Sequence, residues 1–236
     1  MKAGLCFLLT VTVLVLFSVL RTLGLLGPPR YTWLSVSMLT GALALIAWGT
    51  GATWADLGLE RQYLRSGVLY GSGASGLVLL VLVVAAVIPA TSGFLHDSRA
   101  QISGSRMLYE LVVPILLLTA IPEEFAFRGV LLGSALRLWG PWRASLVTSV
   151  LFGLWHIAPT LHTMRDNRAT AGLAASVAGQ VLVVLGSIAV TSVAGLVFCW
   201  LRLRSRSLLA PVMAHFATNG LALAVAWFTV HHPRLR

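Results

Sequence analysis

Glu123 and Glu124 stand side by side in Ile121-Pro122-Glu123-Glu124-Phe125-Ala126-Phe127-Arg128, within a stretch that is otherwise apolar for many residues on both sides. A carboxylate there can take a proton from water or carry an ion, and either task needs a buried, positioned acid. An acid or arginine at the middle of a membrane costs about 2.5–3.5 kcal/mol on insertion scales, so three charges together need a reason. Glu124 and Arg128 are four apart and face each other along a helix as an ion pair. Glu123 is turned about 100° away from Glu124 and points toward another helix. Pro122 cannot donate to the carbonyl of Leu118, so the helix is expected to kink just before the pair and to leave room for water beside Glu123.

Two of the six histidines, His156 and His215, lie in apolar runs, whereas His96, His162, His231 and His232 lie in loops or at the end of the chain. Phe152 precedes His156 by four residues and offers ring packing; Asn219 follows His215 by four and presents a second polar group on the same face. At 1.5 Å per residue, Glu123 and His156 each lie about 21 Å from the loop that joins their helices, and His215 and Asn219 about 10–17 Å from the face where theirs enters. All four fall in one middle layer. One acid, two imidazoles and one amide from three helices make an enzyme-like constellation. Two other readings stay open: a buried polar staple between helices, and a proton or ion relay in a transporter.

The elements that carry these residues are set by composition. Of 236 residues 58% are hydrophobic and 10% charged, and the mean hydropathy is +0.89; a soluble domain has about 25% charged residues. A soluble fold is excluded. With about 20 apolar residues needed per crossing, the predicted spans are Ala3 to Leu26, Tyr31 to Trp54, Gly67 to Leu95, Met107 to Leu136, Trp142 to Ala158, Gly172 to Leu201 and Leu208 to Val230. The sixth is long enough to tilt, to break near Gly186 or to be two short segments. The fold class is therefore an all-α polytopic membrane protein, a bundle of seven or eight transmembrane helices in a single membrane domain, 1–236. Residues 1–106 supply the N-terminal spans and a surface segment, and 107–225 the core that bears the motifs.

The surface segment, residues 55–65, is too polar to span and has leucines two to five apart, which predicts a short amphipathic helix on the membrane surface. Gly71, Gly73 and Gly76, with Ala74 and Ser75, predict a small-residue packing face on the third span. Glu110 is assigned to a first helical turn, where the macrodipole favours an acid. The net charge of +10 is spread in ones to threes between apolar runs, which reads as headgroup anchoring and not as a nucleic-acid surface. Basic residues divide equally between alternate loops, so they do not set the orientation. Lys2 is the only lysine, the mark of a GC-rich coding genome, and the expected setting is a bacterial inner membrane. Cys6 and Cys199 sit in apolar runs and are read as packing residues. The first apolar run has no small-residue cleavage site after it and reads as an anchor.

The three patterns together, Glu123-Glu124-x-x-x-Arg128, Phe152-x-x-x-His156 and His215-x-x-x-Asn219, resemble the type II CAAX prenyl proteases and their bacterial relatives, the CPBP intramembrane proteases (CAAX proteases and bacteriocin-processing proteins). Leu57-Gly58-Leu59 and Ser207-Leu208-Leu209-Ala210-Pro211 also resemble the family's adjoining text. The resemblance implies a helical bundle around a membrane-facing cavity and an endopeptidase acting on membrane-associated peptides or proteins, lipid-modified or not. It implies that Glu123 is the principal general base and activates water with His156, that His215 and Asn219 stabilise the oxyanion, and that Glu124, Arg128 and Phe152 support them. No serine or cysteine nucleophile is required. Members are often named metalloproteases, and a zinc ion would take Glu123, His156 and His215. Without an H-E-x-x-H helix, a metal-free, glutamate-dependent site with no cofactor is preferred to a zinc site. The alternative within the same fold is a non-enzymatic membrane protein, either a transporter or a bacteriocin immunity or scaffold factor.

Overall fold

The computed structural model describes residues 1–88, 91, 98–166 and 168–231, all helix and turn with no strand among them. His96 and His232 lie outside the described residues. Among the described residues, six helical stretches are long and apolar enough to cross a membrane: Lys2–Thr22, Thr32–Gly49, Trp54–Val87, Pro141–Thr163, Val177–Ser205 and Leu209–His231. The remaining predicted span, the fourth, Met107 to Leu136, lies in a stretch, 104–136, that is helical without interruption but changes its winding four times. The chain is an all-α, multi-pass membrane protein.

In chain order the helices are α1 (Lys2–Thr22), α2 (Thr32–Gly49), a single turn α3 (Trp54–Leu57), α4 (Leu64–Val87), α5 (104–136), α6 (Pro141–Trp155), α7 (Ile157–Thr163), α8 (Val177–Ser205) and α9 (Leu209–His231). Their outward faces are apolar: Leu77, Leu80, Val81 and Val84 on α4 and Val181, Leu182, Leu185, Val190 and Val193 on α8 are all exposed. In water such faces would drive aggregation. In lipid they are solvated, and the polar side chains turn inward instead, with Glu124, Arg128, Arg202 and His215 buried. The sixth span does not break at Gly186, because α8 runs unbroken for 29 residues.

Proline shapes α5. It begins at Gly104, where Ser103 caps it, so Glu110 lies in the second turn and pairs with Arg106 at 2.6 Å instead of serving the first turn. From Leu111 to Ala120, around Pro114, and again from Phe125 to Leu131 the helix opens into π turns. A π turn closes on the fifth residue along and often marks a functional site. Pro122, in the one α turn between them, offers no N–H, and the widened winding takes up its ring. Glu123 and Glu124 sit in that turn.

Glycines set the closest helix contacts. A Cβ at Gly71 would lie 2.7 Å from Met213 Sδ, while Gly73 and Gly76 have nothing within 4 Å. The small-residue face of α4 is therefore Gly67, Gly71 and Ser75, which recur every four residues; Ser75 donates to the Met213 carbonyl at 3.3 Å. Gly153 of α6 is tighter still, since a Cβ there would meet Ser192 Oγ and come to 2.7 Å from the Ile188 carbonyl of α8. Gly153→Ala should lower the stability by about 1–3 kcal/mol, because helix backbones have to part to admit the methyl group. Thermal unfolding in detergent micelles reads this, with Gly186→Ala, which meets nothing within 4 Å, as the neutral control.

The predicted amphipathic surface helix is absent. Thr53 and Asp56 form a capping box that starts α3, but Gly58 at φ 71° ends it after one turn. The loop is pinned inward: Arg202 donates to the carbonyls of Ala55 and Asp56 at 2.9 and 3.1 Å, and Leu208 N–H donates to the Gly58 carbonyl at 2.8 Å. Leu57 is buried. Segment 55–65 thus ties the end of α8 and the start of α9 to the bundle.

Candidate active site

Glu124 is the hub of a buried polar chain. Its Oε1 accepts from Arg128 Nη1 at 2.9 Å within α5 and from His215 Nδ1 of α9 at 2.8 Å. All three side chains are sealed, at 0–4% exposure. The Arg128 guanidinium lies 4.0 Å from the centre of the Phe152 ring and 5.0 Å from that of Phe198, and cation–π contact offsets part of its desolvation. Phe198 stacks on the His215 imidazole at 5.4 Å. A carboxylate only accepts, so Nδ1 of His215 carries the proton and the ring turns Nε2 away from Glu124.

That Nε2 faces Glu123. The separation from Glu123 Oε2 is 4.0 Å, beyond a direct hydrogen bond, and Oε2 has no hydrogen-bond partner among the described residues. The other oxygen, Oε1, accepts from the indole N–H of Trp155 at 3.0 Å. Glu123 keeps 16% of its side-chain surface open. The less sealed side chain is therefore the one without a cationic partner, although its Oε2 is itself buried, and the fully sealed one carries the ion pair.

His156 marks the joint between α6 and α7. Its N–H closes a tight turn on Gly153, and its Nδ1 bonds the Phe152 carbonyl at 2.8 Å, which serves an acceptor left over at a helix C-terminus. Pro159, with no N–H of its own, lies just beyond. With Nδ1 engaged, Nε2 of this ring is also free, and the side chain is partly open. The Phe152 ring packs edge-on against both imidazoles, with centroids 4.6 Å from His156 and 6.0 Å from His215.

The structure thus gathers Glu123, Glu124, Arg128, Phe152, His156 and His215 into one cluster. Asn219 is placed differently. The π turn Ala217–Leu221 separates it from His215, and it is exposed where His215 is buried.

Residues 106–221 match the family model described as Type II CAAX prenyl endopeptidase Rce1-like. That stretch belongs to this family. No curated protein and no solved structure matches the chain. Membership in the Rce1-like family implies a membrane-embedded protease, and the matched stretch contains the whole cluster and Asn219.

The donor set of this Rce1-like site does not fit zinc as arranged. Tetrahedral zinc holds N and O ligands at about 2.0–2.2 Å, which sets two ligating atoms about 3.3 Å apart. Glu123 Oε2 and His215 Nε2 are wider than that, and among the described residues no three His, Cys, Asp or Glu side chains are grouped to hold a metal.

Two contacts of the Rce1-like cluster are not evident from the motifs. The bond from Glu124 to His215 joins residues 91 apart. Trp155 does carry a signal in the sequence: a mid-membrane indole N–H requires an acceptor, and it sits beside His156.

Proposed function

We propose that the chain is an intramembrane endopeptidase that hydrolyses peptide bonds of membrane-associated substrates with Glu123 as general base and without a metal. The observation that carries this reading is the unpartnered Glu123 Oε2 held 4.0 Å from His215 Nε2. A water bridging them about 2.8 Å from each atom subtends about 90°, and because Oε2 is itself buried the site has to open to admit it. Glu123 takes a proton from that water as its oxygen bonds to the scissile carbonyl carbon, and the carbonyl electrons pass to oxygen. Collapse of the tetrahedral intermediate breaks the C–N bond, and Glu123 returns the proton to the leaving amine. His156, whose Nδ1 is engaged by the Phe152 carbonyl, is the proposed second group that activates the water, through Nε2. His215 and Asn219 are the proposed oxyanion donors, the role most dependent on positioned dipoles. His215 donates from Nε2 once that nitrogen has taken a proton, because Nδ1–H is engaged by Glu124. Asn219, exposed in the structure, has to move toward the carbonyl when substrate binds. Glu124 orients His215, Arg128 neutralises Glu124, and Phe152 holds both rings.

The substrate is a peptide or protein in the bilayer, lipid-modified or not, and the setting is a bacterial inner membrane, in keeping with a basic set that is arginine but for Lys2. The test compares the membrane proteomes of cells carrying the wild-type chain and Glu123→Ala and reads new C-termini. Termini that appear only with the wild type support the reading; identical sets overturn it. Zinc content tests the metal-free part separately. The purified chain should hold well under one zinc per molecule and stay active in chelator, whereas one tightly bound zinc with activity lost on chelation would contradict it.

A further inference from the structure

We infer that Trp155 is a positioning residue for Glu123: its indole N–H fixes Oε1 and so directs Oε2 to the attacking water. The inference rests on the reading of Glu123 as base. Three observations carry it. The indole Nε1 donates to Oε1 at 3.0 Å, and indole has no acceptor atom, so the direction of the bond is unambiguous. Trp155 is itself locked, stacked on Phe17 of α1 at 5.9 Å and edge-on to Phe127 at 5.9 Å. Finally, Oε2 is left with no partner among the described residues and with His215 Nε2 opposite.

A glutamate has three side-chain torsions and, unpinned, explores many rotamers. The donors nearest to Glu123 are engaged elsewhere. Arg128 and His215 Nδ1 bond Glu124, and His156 Nδ1 bonds the Phe152 carbonyl. The indole is the only hydrogen-bond donor to Glu123 among the described residues, and it comes from the residue next to His156. A rigid ring carries that donor, so one oxygen is held and the other is aimed. Base catalysis depends on such aim, because a misplaced base loses the near-attack geometry.

Trp155→Phe keeps a ring against Phe17 and Phe127 and removes the donor. A second variant, with β-(3-benzothienyl)alanine at position 155, keeps the bicyclic shape and exchanges only N–H for sulfur, which guards against loss of packing in the first. Both are expected to lower kcat about 10- to 100-fold, the range for a hydrogen bond to a charged group, with KM within about twofold. Ultraviolet resonance Raman of the indole gives a readout free of turnover. Subtracting the Trp155→Phe spectrum isolates Trp155, whose band should report a strong hydrogen bond that Glu123→Ala abolishes. Wild-type kcat in the benzothienyl variant, or an indole band insensitive to Glu123→Ala, overturns the inference. If instead Glu123→Ala still cleaves while the band shifts as expected, the general-base reading fails and the hydrogen bond stands.

Discussion

Glu123→Gln should lower the cleavage rate by about 10²- to 10⁴-fold while leaving the protein folded, which is the range lost with a positioned general base. The substitution suits this site because glutamine keeps the shape of glutamate. Its amide oxygen can still accept from Trp155, which bonds Oε1 at 3.0 Å in the native chain, and its NH₂ then faces His215. What is lost is the capacity to take a proton. Packing is little affected, because Glu123 is only partly buried and the ion pair belongs to Glu124. KM should change little, so the loss falls on kcat.

Arg128→Met should cost more stability than any other single substitution in the cluster, about 3–5 kcal/mol, the penalty for leaving one member of a buried pair without its counter-charge. Arg128 is 1% exposed and Glu124 is fully sealed, so water cannot take over as partner. The guanidinium also covers Phe152 and Phe198, and lysine would not replace it, lacking the flat face that stacks there. Removing both charges in Glu124→Gln/Arg128→Met should restore much of the loss, since a neutral pair leaves no stranded charge. Thermal unfolding of Arg128→Met, Glu124→Gln and the double variant in detergent micelles checks the sign and the non-additivity. A double variant no more stable than Arg128→Met would show that the effect is packing and not charge.

These two residues also show how far the sequence reaches. The spans were legible because lipid demands long apolar runs, and charges out of place within them stand out for the same reason. Glu124 and Arg128 were legible as a pair because the spacing is local. Glu123 was expected to meet something from another helix, but the partners were not legible: Trp155 and His215 arrive through tertiary packing, which no local period encodes. Winding was hidden as well. Nothing in Leu111–Ala120 or Ala217–Leu221 distinguishes a π turn from an α turn by hydropathy, and Asn219, within the π turn at 217–221, is exposed where His215 is buried. Leucine spacing in 55–65 mimicked an amphipathic helix, whereas Gly58 in the left-handed region, anchored by Arg202 and Leu208, made it a docked turn.

The central claim is that Glu123 activates water for peptide hydrolysis within the membrane. The most direct measurement reconstitutes the purified chain in liposomes with chelator present, together with a membrane-anchored peptide drawn from the new C-termini, and quantifies both cleavage products by mass spectrometry against Glu123→Gln. Paired products from the wild type, absent with Glu123→Gln at equal folded protein, are the predicted result. Cleavage by Glu123→Gln at the wild-type rate would contradict the account.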